Sequence, residues 1–233
     1  MLFPDLRPRS PAPPPGIDLR CCGVDEVLRE VRGARLIHAD PPWQYNPGSA
    51  GKGSAQPELN GIYGCITDAD IVAHLDAAYD CAAPGARMLC WYTWPKSAEW
   101  RAAGMAGARW GGEVTGGAWI KTGQVGVGYH WRGQSEPVAM FVRRDGAAGR
   151  PGELLLNGHV SQPGAHSEKP LSWLRAMLRA WTEPGDLVVD LYAGLAPMAR
   201  ACALEGRRYV GAEIDPERHR IGLCGLEKVS GNE

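Results

Sequence analysis

The sequence predicts an α/β fold built on a mostly parallel sheet with helices on both faces, and three observations carry that prediction. The last third alternates helix and strand: a helix over Pro170–Thr182, a strand DLVVDLY, a helix over Pro197–Glu205 and a strand RRYVGAEID. Between Asp18 and Trp43 the same grammar recurs. There, a short strand or turn (IDLR) leads into an amphipathic helix with Val24, Val27, Leu28 and Val31 on one face, then into a buried strand, ARLIHAD. Finally, 233 residues with 44% apolar content can bury a core of two or three layers, and 22% charged residues exclude wholesale disorder.

Taken in order, residues 1–16 are too rich in proline to form a helix and read as an extended arm, leaving 17–233 as one domain. PGSAGKGSAQPELNG, from Pro47 to Gly61, has no periodicity and reads as a loop next to the strand end at Asp40. Thr67 is a predicted N-cap, with Asp68 and Asp70 in the first turn of a helix that stops before Pro84-Gly85. ARMLCWYTW follows as a buried strand, and further strands are expected at Gly117–Lys121 and Glu136–Arg143. No run of about 18 apolar residues occurs, and the proline-rich start lacks the pattern of a secretory signal, so neither a membrane span nor export is expected. Seven cysteines without a CxxC pair read as thiols in a reducing cytoplasm, and no metal-ligand spacing is present. The net charge of −1 exerts no global pull on nucleic acid, so such a partner must be met by a local patch.

In an open parallel sheet, ligands bind at the carboxyl ends of the strands, which directs attention to Asp40, Tyr92, Asp190 and Glu213. At the first of these stands Asp40-Pro41-Pro42-Trp43. Two prolines remove two backbone donors and fix φ, leaving a rigid row of acceptors formed by the Asp40 carboxylate and nearby carbonyls. An amino group with two N–H donors is the complement of that row, and Trp43 offers a face on which a flat ring can stack.

ADPPW resembles the catalytic tetrapeptide of the nucleic-acid amino-methyltransferases, in the form typical of the mRNA adenosine-N6 methyltransferase family and its bacterial and phage relatives. WIKTGQVGVGYHWRGQSEPVAMFVRRDG resembles the segment in which these proteins carry a glycine-rich turn, an aromatic and a Glu before the next strand. HSEKPLSWLRAMLRAWTEPGDLVVDLYAG resembles the Lys-Pro helix leading into the cofactor strand of the β-class DNA adenine-N6 methyltransferases, and the order, tetrapeptide first, is the permuted order of that class. The resemblance implies a Rossmann-like class I methyltransferase fold using S-adenosylmethionine, with Asp40, Pro41, Pro42 and Trp43 at the catalytic turn. It implies Lys169 as partner of the cofactor carboxylate; Asp190, Tyr192 and Gly194 at the turn where backbone approaches the cofactor; Glu213 on the ribose hydroxyls; and Asp18 and Leu19 beside the adenine. Asp40 borders the cofactor as well. The family's Gly-Ser-Gly-Thr is replaced here by Gly194-Leu195-Ala196-Pro197-Met198, so the methyl group of Ala196 stands where a second glycine is usual, which bears on cofactor affinity rather than on fold.

For the substrate, Lys96 to Arg150 carries eight basic and four acidic residues interleaved with Trp100, Trp110, Trp119, Tyr129 and Trp131, the mixture expected where phosphates and unstacked bases are gripped. Tyr45 and Tyr63, flanking the loop after the tetrapeptide, together with Lys121, Tyr129 and Arg132, are candidates for substrate contact. No block of about 80 residues remains for a recognition domain, so loops, a second copy or a partner subunit must read the target. The expected activity is methylation of the N6 amino group of adenine, in DNA rather than RNA, in the cytoplasm of a bacterial or phage-infected cell. N4-cytosine methylation and RNA adenosine methylation are the near alternatives, and a non-catalytic nucleic-acid-binding subunit is the distant one.

Overall fold

The computed structural model describes residues 13–43, 66–93, 107–110, 115–121, 135–145 and 168–230. Within them one seven-stranded sheet forms from β1 (Ile17–Arg20), β2 (Ala34–Ala39), β3 (Ala82–Trp91), β4 (Thr115–Ile120), β5 (Ser135–Val142), β6 (Leu187–Asp190) and β7 (Arg208–Ala212), in the order β1-β7-β6-β2-β3-β5-β4. The first five strands of that order run parallel, while β5 is antiparallel to both β3 and β4. The predicted architecture is therefore present, with a terminal antiparallel pair.

Side chains alternate across the strands and sort into two cores. On one face Ile37, Ala39, Met88, Cys90 and Val189 pack beneath α1 (Val24–Glu30) and α2 (Asp68–Cys81). On the other, Leu36, Leu89, Trp91, Val188 and Tyr209 meet α4 (Leu171–Trp181), α5 (Pro197–Glu205) and α6 (Pro216–Ser230). A short helix, α3 (Gly107–Trp110), sets Trp110 under α2, where its indole donates to the Leu75 carbonyl at 2.9 Å. Thr67 caps α2 as its sequence predicts, in a full capping box with Asp70.

Two local expectations need correction. The strand expected at ARMLCWYTW begins earlier, directly at Ala82, and runs through Pro84 and Gly85 with a register shift against β2 between Ala34 and Leu36. That irregularity absorbs the proline and the positive φ (75°) of Gly85. The helix α6 had no counterpart in the sequence reading, because Gly222 and Gly225 depress its intrinsic propensity. It is started by Asp215, whose carboxylate accepts from the backbone N–H of Glu217 (2.8 Å) and Arg218 (2.9 Å). Among the described residues no helix is long and apolar enough to cross a membrane.

Candidate active site

The carboxyl ends of β2, β3, β6 and β7 open into one cavity of about 660 Å³. At the β2 end lie Asp40, Pro41, Pro42 and Trp43, and across the cavity, after β6 and β7, lie Tyr192, Gly194 and Glu213. Tyr92, just past β3, lines it too. Parallel strands bring together residues from distant parts of the chain.

The Asp-Pro-Pro-Trp turn is held from below. The Trp43 backbone N–H donates to the Pro41 carbonyl at 2.9 Å, and the buried Trp43 indole donates to the Trp91 carbonyl, also at 2.9 Å. Asp40 Oδ2 accepts from the Lys169 ammonium at 2.6 Å, while Oδ1 has no hydrogen-bond partner among the described residues. Burial pushes the Asp40 carboxyl above its ordinary value, against the opposing pull of Lys169. Lys169 itself is 4% exposed, lies 3.1 Å from Glu136 Oε2 and sits 5.0 Å above the Trp91 ring. Burial alone would lower its pKa, but Asp40 and Glu136 outweigh that and keep it firmly cationic.

On the opposite wall, Glu213 Oε2 accepts from the Gly194 N–H at 2.7 Å and Oε1 from the Asp215 N–H at 2.9 Å. Burial raises its pKa and these backbone donors oppose the rise. Gly194 has φ +57°, and a side chain there would meet no atom within 4 Å, so the backbone faces open space. The Tyr192 hydroxyl lies 2.8 Å from His74 Nδ1, and burial drives its phenol well above the usual value.

Several expected site residues stand elsewhere. Asp18 points outward on β1 and pairs with Arg20 at 2.7 Å, while Leu19 is buried in the core; alternation along the strand sends both away from the cavity. The stretch that borders it is Cys22 to Asp25, just beyond β1. Asp190 is fully buried beneath the turn, accepting from His38 Nδ1 (3.0 Å) and the Tyr209 hydroxyl (3.1 Å), so its carboxylate is a support and not a wall of the cavity. Lys169, expected to meet a cofactor carboxylate, does line the cavity, where it pairs with Asp40 and Glu136. Lys121 pairs with Glu136 and lies 4.9 Å from the Trp119 ring. Tyr45, Tyr63, Tyr129 and Arg132 lie outside the described residues. Ala196 is resolved in the opposite sense to the expectation. Its methyl group is wholly buried toward Gly222 of α6, so it leaves the cavity unobstructed.

The sequence reading passed over Glu136, His74, Asp25 and Asp215 as individual site residues. All four line the cavity; Asp25, Glu136 and Asp215 lie within one residue of the start of a helix or strand, whereas His74 lies in the middle of α2, where no local signal marks it. With Asp40, Asp70, Glu168 and Glu213 they set seven carboxylates around a space that holds two permanent cations, Lys169 and Arg218. Such a lining suits a positively charged small molecule.

The sheet and its strand-end cavity make a Rossmann-like α/β fold, and solved DNA methyltransferases share it. The solved structure of TTHA0409, a DNA modification methylase of Thermus thermophilus complexed with S-adenosyl-L-methionine, superposes with a TM-score of 0.64 over 93% of this chain and 95% of that one, at 17% identity. The cytosine-N4-specific PvuII DNA methyltransferase gives 0.63, covering 94% of each chain at 15% identity. By sequence, residues 132–223 match the N6/N4 family of DNA methylases. It is 34% identical to the type II methyltransferase M.XycI of Xanthomonas campestris pv. cyanopsidis over 106 residues, which are 45% of this chain and 33% of that protein. It is 33% identical to the DNA adenine methyltransferase YhdJ of Escherichia coli K12 over 76 residues, which are 33% of this chain and 25% of that protein. The matched stretches thus span a third or less of these relatives.

Proposed function

We propose that the chain transfers the methyl group of S-adenosylmethionine to the exocyclic N6 amino group of adenine in DNA. The observation that carries this reading is the single cavity with an amino-group acceptor turn, Asp40 to Trp43, on one wall and the Gly194 and Glu213 cradle on the other. The cofactor fits what is there: seven carboxylates for a sulfonium cation, open space before Gly194, and a Glu213 carboxylate with lone pairs left for ribose hydroxyls. When bound, S-adenosylmethionine supplies an electrophilic methyl group.

The rest falls to the protein. Glu213 and the Gly194 backbone hold the nucleoside end of the cofactor, with Tyr192 fixed by His74 as part of the same wall. Asp40 Oδ1 and the second lone pair of the Pro41 carbonyl take the two amino hydrogens, which leaves the nitrogen lone pair directed across the cavity. Trp43, locked by its bond to Trp91, bounds the space for the base. Catalysis comes from positioning and from an acceptor whose basicity burial has raised. A base in a duplex must be flipped out to reach this depth. The basic segment from Lys96 to Arg150 is the proposed nucleic-acid surface, completed by a second copy or a partner subunit, although its Trp110 and Trp119 are buried in the core and offer no face to a base.

The test is calorimetric titration of S-adenosylmethionine, followed by incubation with DNA or RNA and mass spectrometry of the nucleosides. Expected are binding and N6-methyladenine from DNA. Asp40→Ala should lower transfer at least about 100-fold while changing cofactor affinity less than about twofold, and Glu213→Ala should weaken cofactor binding by about tenfold. N4-methylcytosine as the product, or modification of RNA alone, would overturn the substrate assignment. Absence of cofactor binding in the folded protein would sink the enzyme.

A further inference from the structure

We infer that Glu136 is a positioning residue: seated between Lys121 and Lys169, it holds Lys169 between two carboxylates and thereby keeps Asp40 a strong acceptor for the substrate amino group. Its purpose rests on the methyl-transfer reading above; its geometry does not.

Four charges of alternating sign run from the β4 end of the sheet to the catalytic turn. Lys121 follows β4 and binds one oxygen of Glu136; the other oxygen lies 3.1 Å from Lys169 Nζ, which donates to Asp40 at 2.6 Å. Each ammonium is also seated on an indole, Lys121 on Trp119 and Lys169 on Trp91. A lysine pairing with Asp40 alone, in so enclosed a place, would form a tight ion pair and spend the carboxylate on it. Glu136 prevents this by drawing on the same ammonium. Lys121 in turn limits how strongly Glu136 does so. Among the described residues, His38 on the preceding strand and Cys90 on β3 also interact with Asp40, and neither belongs to the chain of charges.

A plain structural strut between β5 and the start of α4 would predict that every substitution loosens the site alike. Division of charge predicts opposite effects from the two ends. Removing Glu136 strengthens the pull of Lys169 on Asp40, which then titrates at lower pH; removing Lys121 strengthens the hold of Glu136 on Lys169, and Asp40 titrates at higher pH.

The experiment is a carbon-13 NMR titration of the Asp40 side chain in the full chain without cofactor, assigned by difference from Asp40→Asn, with circular dichroism confirming the fold. Glu136→Gln should move the Asp40 midpoint down, Lys121→Met should move it up, and Glu136→Asp should restore it close to the parent. In methylation assays Glu136→Gln should reduce kcat by about tenfold with the KM for S-adenosylmethionine within about twofold. An Asp40 midpoint that stays put in both folded variants, or moves the same way in both, would overturn the inference. Should Glu136→Gln fail to fold, an unmoved or lowered midpoint in Lys121→Met would be decisive against it. If the titrations move as stated while neither DNA nor RNA is methylated by the parent protein, the functional reading fails and the charge division stands.

Discussion

Asp190 closes β6 with a carboxylate of zero exposure, and the residues that satisfy it come from two neighbouring strands. The Trp91 indole, which can only donate, gives its proton to His38 Nε2 at 3.1 Å. His38 therefore carries its proton on Nδ1 and donates it to Asp190, while Tyr209 donates to the other oxygen. Tyr209 reaches that far because Gly211 has no side chain: a Cβ there would fall 2.1 Å from the Tyr209 hydroxyl. Tyr209→Phe should leave a buried carboxylate oxygen unpaired and cost about 1–3 kcal/mol, seen as a lower urea midpoint with unchanged slope. Gly211→Ala should cost more than that, since the tyrosine must leave its place. The family resemblance implied Asp190 as part of a cofactor turn. Its actual work, supporting that turn from beneath, depends on His38 and Tyr209, and no local pattern connects the three.

At the scale of elements, α5 and α6 show how a departure from a familiar turn is accommodated. Ala196 adopts φ 57°, ψ 43°, a left-handed conformation that costs a residue with a Cβ about 1–2 kcal/mol, immediately before Pro197 begins α5. Its methyl group is buried against α6 at Gly222, where an added Cβ would stand 3.1 Å from both the Ala196 methyl and Leu19 Cδ2. The glycine that weakens α6 as an isolated helix is thus the one that lets it dock. Gly222→Ala should destabilise the protein by about 1–3 kcal/mol in urea unfolding, despite alanine's higher helix propensity, because overpacking outweighs it. A thermal midpoint raised by this substitution would contradict the packing seen. The length of α5 was legible from its proline and its closing glycine, whereas α6 depends on a partner that only the folded chain provides.

Across the whole molecule, acid should act on the contact between α4 and α5 and on the cavity carboxylates in opposite senses. Glu205, at the end of α5, accepts from Arg175 and Arg179 of α4, which hold its carboxyl at about 2, below the ordinary 4.5. A carboxylate lowered in this way contributes stability that is complete above about pH 4.5 and is lost as the pH falls toward 2. Asp40 and Glu213 are raised by burial, so protonating them on acidification favours the fold and offsets part of that loss. Urea midpoints measured from pH 5 to pH 3 should fall in the parent protein and fall less steeply in Glu205→Gln. The sequence by itself determined the α/β class, the order of most strands and helices, and the strand ends that carry chemistry. Periodicity, capping and proline placement act over a few residues and can be read there. Which side chains share the cavity, the inward turn of the Ala196 methyl group and the commitment of Lys169 to Asp40 and Glu136 were decided by tertiary structure. Each joins residues more than twenty positions apart, on strands and helices brought together by a sheet whose neighbouring strands are mostly not neighbours in the chain.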